Sequence, residues 1–200
     1  MKSSQESLKK RGLPLKQDIE ELSTLPQAQL IELLHSEDAI TRTASANNLS
    51  AKQETVTKEL LKQLQVEQCL YTRIAICKSL EKGNINTARQ MIEYLGKIGN
   101  NQHKKLPDNV SKKKSFPLPR DIIARSLGKM DIMIFPVLIE VLFTKEIIKI
   151  SEILDAIGYM AVYHPQLASQ KNVEMIISIV GSYVENELIL WKSMRCLSAI

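Results

Sequence analysis

Residues Arg42–Leu49 read RTASANNL, and 31 positions later Arg73–Leu80 read RIAICKSL. Arginine, small residue, small residue and leucine fall at the same offsets in both: Arg42, Ala44, Ala46, Leu49 and Arg73, Ala75, Cys77, Leu80. Arg120–Gly128, RDIIARSLG, repeats part of the pattern with Ile122, Ala124, Leu127 and Gly128. A fourth copy keeps Leu154, Ile157 and Gly158 but has Ile150 in place of the arginine. Self-similarity on this scale marks stacked helical units. The spacings put most of these residues on one helix face, where alanine permits close helix approach and leucine fills the layer between.

A second apolar-periodic segment precedes each copy. These are Leu30, Ile31, Leu33, Leu34; Val56, Leu60, Leu61, Leu64; Met91, Ile92, Leu95, Ile98; and Val137, Leu138, Val141, Leu142. The unit is therefore helix, short break, helix, and the expected class is all-α. Residues 1–24 are expected to hold a loose basic tail (1–12) and a capping helix with Leu15, Ile19 and Leu22 on one face, the rest of the chain (25–200) forming the array. Thr24 before Pro26 and Gln27 is the expected helix cap there.

Ser36-Glu37-Asp38 ahead of Arg42, Ala44, Ala46 and Leu49, with Glu67 ahead of Arg73, Ala75 and Leu80, resembles the HEAT-repeat family, in particular its bacterial short-repeat, lyase-like branch. The resemblance covers residues 25–200 and departs from the family where the third copy carries an insertion and the fourth lacks arginine. It implies an armadillo-like α-solenoid of about five antiparallel helix pairs and a protein-binding scaffold role, with no single chemistry. It also makes Arg42 and Arg73 framework residues, pairing with Asp38, Glu67 or their neighbours in a ladder.

Hydrophobic residues make up 44% of the chain, ample for a core, and aromatics only 4%, so leucine and isoleucine do the packing. The amino terminus has no apolar stretch of the signal-peptide kind. The longest apolar run, Ile132–Phe143, is too short to span a bilayer. Three cysteines, Cys69, Cys77 and Cys196, sit on helical patterns and cannot all pair, so reduced thiols and a cytoplasmic location are expected. No cofactor motif or metal-ligand spacing is present, so neither a cofactor nor a metal is expected.

Residues 99–119 interrupt the pattern with GNNQHKKLPDNVSKKKSFPLP. From Gly99 to Arg120 there are six basic residues and one acid, which carry the chain's entire net charge of +5. Lys104, Lys105, Lys112, Lys113, Lys114 and Arg120 are therefore binding candidates for an acidic protein surface or, as the alternative, nucleic acid. The loop is expected to be dispensable for folding. Polar positions on the second helices, namely Asn47, Asn48, Lys78, Arg125, Lys129 and Glu152, are candidates for a recognition face. Asp155, Trp191 and Arg195 are of the types used by HEAT-like glycosylases that excise alkylated bases, which leaves a catalytic alternative open. The last helix carries Leu190, Trp191, Met194 and Leu197 with no polar cap after it, so an uncovered apolar layer is expected, relieved by further repeats or by a homodimer through that end.

Overall fold

The computed structural model describes residues 4–109 and 115–200. It is all-helical: among the described residues there are twelve α-helices and two short 3-10 turns, with no strand. The chain forms two compact units, Met1–Gln90 and Met91–Ile200.

The first unit holds α1 (Gln5–Lys10), α2 (Lys16–Glu21), α3 (Gln27–Leu33), α4 (Ala39–Asn48), α5 (Glu54–Val66) and α6 (Leu70–Glu81), and the boundary falls inside α7 (Ile85–Ile92). Part of the segment read as a loose tail is thus helical. Ser4 caps α1 by accepting from Ser7 N–H, and acidic Glu6 and basic Lys9 and Lys10 sit at the ends the helix dipole favours. Leu15 is not on a buried face; it occupies the N-cap position of α2 and is 62% exposed. The start of α3 also differs, since Pro26 rather than Thr24 holds the cap position.

Within this unit α3 packs on α4, α5 on α6, and α4 on α6. Small polar side chains close the interfaces. Thr43 and Thr72 share a hydroxyl–hydroxyl bond of 2.8 Å, the Ser79 hydroxyl donates to the Leu49 carbonyl at 2.6 Å, and Ser45 donates to the Leu30 carbonyl. Ala44, Ala46, Ala75 and Leu80 are buried as the repeat pattern requires.

Arg42 pairs not with Asp38 but with Glu67, the acid that precedes α6. Its Nε and Nη2 donate to the two Glu67 oxygens at 2.7 and 2.9 Å, and its Nη1 donates to the carbonyls of Ser36 and Glu37. Asp38 caps α4 instead, accepting from Thr41 N–H at 2.7 Å. Glu67 also accepts from Gln63 Nε2 and from the backbone N–H groups of Gln68 and Cys69. Burial opposes its ionisation, but Arg42, Cys69 N–H and Gln63 outweigh burial and hold the carboxyl at about 2. Arg73 has no such partner among the described residues.

The second unit contains α8 (Ile122–Leu127), α9 (Phe135–Leu142), α10 (Ile147–Tyr163), α11 (Gln170–Ser182) and α12 (Glu187–Leu197). The central helix, α10, packs on α8, α9 and α12, and α11 packs on α9 and α12. It is buried around most of its circumference, Ile150 to Ile157 without a break. Two glycines set its close contacts. A Cβ at Gly128 would lie 3.0 Å from Tyr159 Cδ1 and 3.2 Å from the Ala156 carbonyl; at Gly158 it would lie 2.9 Å from Phe116 Cζ and 3.2 Å from Cys196 Cα. The two glycines of the sequence pattern are therefore the points where α8 meets α10 and α10 meets α12.

The third copy departs from the first two at its start. Pro117 and Pro119 precede it and a proline cannot continue a helix interior, so α8 begins only at Ile122, capped by Asp121. Arg120 is left exposed in the loop rather than on the helix. Arg125 takes over the tie to the preceding segment, its Nε donating to the Pro119 carbonyl at 2.9 Å.

The Arg42–Glu67 pair yields a signed prediction. Because the folded value of Glu67, about 2, lies below its ordinary 4.5, its contribution is present above pH 4.5 and is lost as pH falls toward 2. Arg42→Met strands the carboxylate and should cost about 3 kcal/mol in urea unfolding at pH 7. Glu67→Gln should flatten the stability curve between those two pH values. An unchanged acid profile in Glu67→Gln would show that this pair does not set acid sensitivity.

Candidate functional site

The inward face of α12 carries a charged side chain. Its buried residues are Ile189, Lys192, Ser193 and Cys196, and none of the four apolar residues expected to form an uncovered layer is among them. Leu190, Trp191 and Leu197 are only half-buried, and Met194 is 62% exposed. Lys192 is fully buried, at 0% exposure.

Lys192 is held by α10. Its Nζ donates to Glu152 Oε1 at 2.8 Å and pairs with Asp155 Oδ2 at 3.0 Å. Arg195, one turn further along α12, pairs with the other Asp155 oxygen at 3.4 Å and lies over the Trp191 ring, 4.5 Å from its centroid. His103, from the loop before α8, meets Trp191 edge-on with centroids 5.0 Å apart. Burial lowers the His103 pKa, and the charges of Arg120 and Lys192 reinforce this, which favours the neutral imidazole. Two carboxylates, two cations and two rings thus form one continuous assembly between α10, α12 and the loop.

Beside it lies a cavity of about 370 Å³, within the range of small-ligand sites. Ile147, Ile148, Leu188 and Ile189 supply its apolar wall, and Gln102, Ser151, Glu152 and Asn186 its polar one. Each of three polar groups has a partner: Gln102 donates to Ile98 O and Asp121, Ser151 donates to Glu152 Oε1, and Asn186 caps α12 through Ile189 N–H. Glu152 Oε2 does not; it is buried with no hydrogen-bond partner. Burial raises the Glu152 carboxyl above its ordinary value; the Lys192 ammonium works against the rise, and the neighbouring charges of Asp155 and Asp121 add to it.

The sequence-derived candidates have separate surroundings. Lys104 is exposed and lines the cavity; Lys105 is exposed and reaches Asp108 at 3.5 Å. Lys112, Lys113 and Lys114 lie outside the described residues. Arg120 is exposed near His103, Arg125 is engaged with Pro119, and Lys129 is exposed on the residue after Gly128. Of the recognition-face candidates, Asn47 and Asn48 bond to helix carbonyls, with Asn48 also reaching the Ile19 carbonyl, and Lys78 is exposed. Glu152, read as a face residue, is 2% exposed. Lys192 was missed altogether. The signal for Glu152 was present, since in the repeat register it stands where the first two copies have Ala44 and Ala75, a buried position.

The loop expected to be dispensable makes contacts with the helices of the second unit. Gln102 is bonded to Asp121, His103 to the Trp191 edge, and Phe116 fits the space left by Gly158. Among the described residues no group of three His, Cys, Asp or Glu is placed to hold a metal, and no helix is long and apolar enough to cross a membrane. Comparison with protein-family models, curated proteins and solved structures gives no match.

Lys192→Met would leave Glu152 and Asp155 without their shared cation. The expected cost is about 3–5 kcal/mol, measured by urea unfolding followed through Trp191, the single tryptophan. A loss below about 1 kcal/mol would mean that the ammonium contributes no more than a surface pair.

Proposed function

We propose that the chain is a non-catalytic protein-interaction module built from HEAT-like helix pairs, and that the cavity beside Glu152 is its recognition pocket. Support for the repeat reading comes from within each unit. Adjacent helices pack as pairs (α3 with α4, α5 with α6, α9 with α10, α11 with α12), and at the pattern positions the second helices bury alanines (Ala44, Ala46, Ala75) or approach one another at glycines (Gly128, Gly158). The observation that carries the binding role is a cavity with an apolar wall and one buried, unpaired acceptor. In this reading the module works in the cytoplasm, where its three cysteines remain thiols. Lys104 at the cavity and Lys105 beside it favour a partner whose surface is acidic around the contact.

The catalytic alternative draws less support. Asp155, Trp191 and Arg195 do come together, but they are spent on one another: Lys192 and Arg195 engage both Asp155 oxygens, and Arg195 covers a face of Trp191. A carboxylate so held is poorly placed to stabilise a departing base, and a covered ring is poorly placed to stack on one.

The immobilised chain should capture the same protein before and after nuclease treatment. Ile148→Asp, a change at a position 65% exposed on the cavity wall, should abolish capture without altering the melting temperature. Nuclease-sensitive capture, or release of alkylated bases from duplex DNA by the purified chain, would overturn the reading.

A further inference from the structure

We infer that the cavity binds the side chain of a lysine presented by the partner, with its butyl stem along the apolar wall and its ammonium on Glu152. This rests on the interaction reading above and specifies the chemistry of the group recognised.

Three observations converge on an alkylammonium. First, the cavity has the two-part character of such a side chain. Ile147, Ile148, Leu188 and Ile189 offer an apolar channel, and Glu152 places a carboxylate in the same wall. Lysine buries its methylene stem against apolar surface and needs strong acceptors only at its tip.

Second, the acceptor is single. Lys192 and Ser151 occupy Glu152 Oε1, and only Oε2 lacks a partner. A guanidinium is held best by two oxygens of one carboxylate, as Arg42 is by Glu67 in the first unit. One free oxygen suits a compact point charge such as an ammonium.

Third, the interior charge does not balance. Asp121, Glu152 and Asp155 are all buried, whereas among the described residues the cations that pair with them from within are two, Lys192 and the mostly buried Arg195. The donors to Asp121 are the backbone N–H groups of Gly96 and Ala124 and the Gln102 amide, none of them charged. Lys104 and Arg120 are exposed, where water screens them. A cationic guest supplies the missing charge at the one Glu152 oxygen that lacks a partner. Lys104, turned toward solvent at the same cavity, then favours acidic residues flanking the guest lysine.

The test is an NMR titration of the full chain with N-acetyl-lysine N-methylamide, against the norleucine compound, which keeps the stem and lacks the ammonium. The lysine compound should shift the amides of Ile148, Ser151, Glu152 and Ile189 and bind at least about tenfold more tightly than its norleucine counterpart. A peptide with one lysine between two aspartates should bind more tightly still. Glu152→Gln should weaken lysine binding about tenfold or more, with its amide spectrum showing whether the fold is kept. Ile148→Ser, on the exposed wall, should weaken both compounds without touching the charge assembly. Equal binding of the two compounds, shifts located elsewhere, or no shifts at about 20 mM would overturn the inference. So would an aspartate-flanked peptide that binds no better than the single residue. Capture of a protein partner that persists under any of these results would leave the interaction reading standing and remove only the lysine assignment.

Discussion

The second unit depends on one buried ammonium. Lys192 sits at full burial between Glu152 and Asp155, and taking an uncompensated charge into a protein interior costs several kcal/mol. α10 and α12 must therefore pack in the one register that brings both carboxylates to Nζ. Gly158 permits that approach by leaving room at Cys196 Cα. Once the register is set, Asp155 orients Arg195, Arg195 lies on Trp191, and Trp191 receives His103 from the loop. The cavity follows from the same constraint, as its walls are the amino-terminal turns of α10 and α12 and the loop pinned against them.

The two units solve the problem of a buried carboxylate in opposite ways, and the contrast separates framework from site. Glu67 receives Arg42 on both oxygens together with a side-chain amide and two backbone N–H groups, and its pKa falls to about 2. Nothing is left for a ligand to add. Glu152 is satisfied on one oxygen only, and its pKa moves up. Buried polar groups lacking partners are rare in folded proteins because each forfeits its hydration. Placed in the wall of a cavity, such a group gives an incoming donor an interaction for which the desolvation of the acceptor has already been met. Incomplete satisfaction at Glu152 thus has the same physical meaning as preorganisation.

The helical class was legible because repetition reinforced a weak local signal. Ala44, Ala75, Leu49, Leu80, Leu127 and Ile157 recur at fixed offsets and all are buried. The site was not legible, for reasons specific to its residues. Lys192 lies among Leu190, Trp191 and Met194, and the apolar run drew attention to the outward residues of α12 rather than to the buried ones; a buried cation has no periodic signature until its carboxylates, 40 and 37 positions earlier, are placed beside it. Glu152 was visible as a polar residue but not as a buried one. Arg42 and Arg73 were expected to pair with Asp38, Glu67 or their neighbours, yet the pairing of Arg42 across to Glu67 rather than with nearby Asp38 required three-dimensional geometry. Arg120 differs from the corresponding arginines because the prolines before it remove the turn on which they sit.

The most direct measurement of the central claim is the nitrogen-15 NMR signal of the Lys192 side chain in the full-length protein at pH 7. A buried ammonium shared by Glu152 and Asp155 should give a resolved, charged Nζ resonance whose protons exchange with water far more slowly than those of surface lysines such as Lys78. A Lys192 signal absent from the slow-exchange spectrum, or one at the position of a neutral amine, would contradict the account.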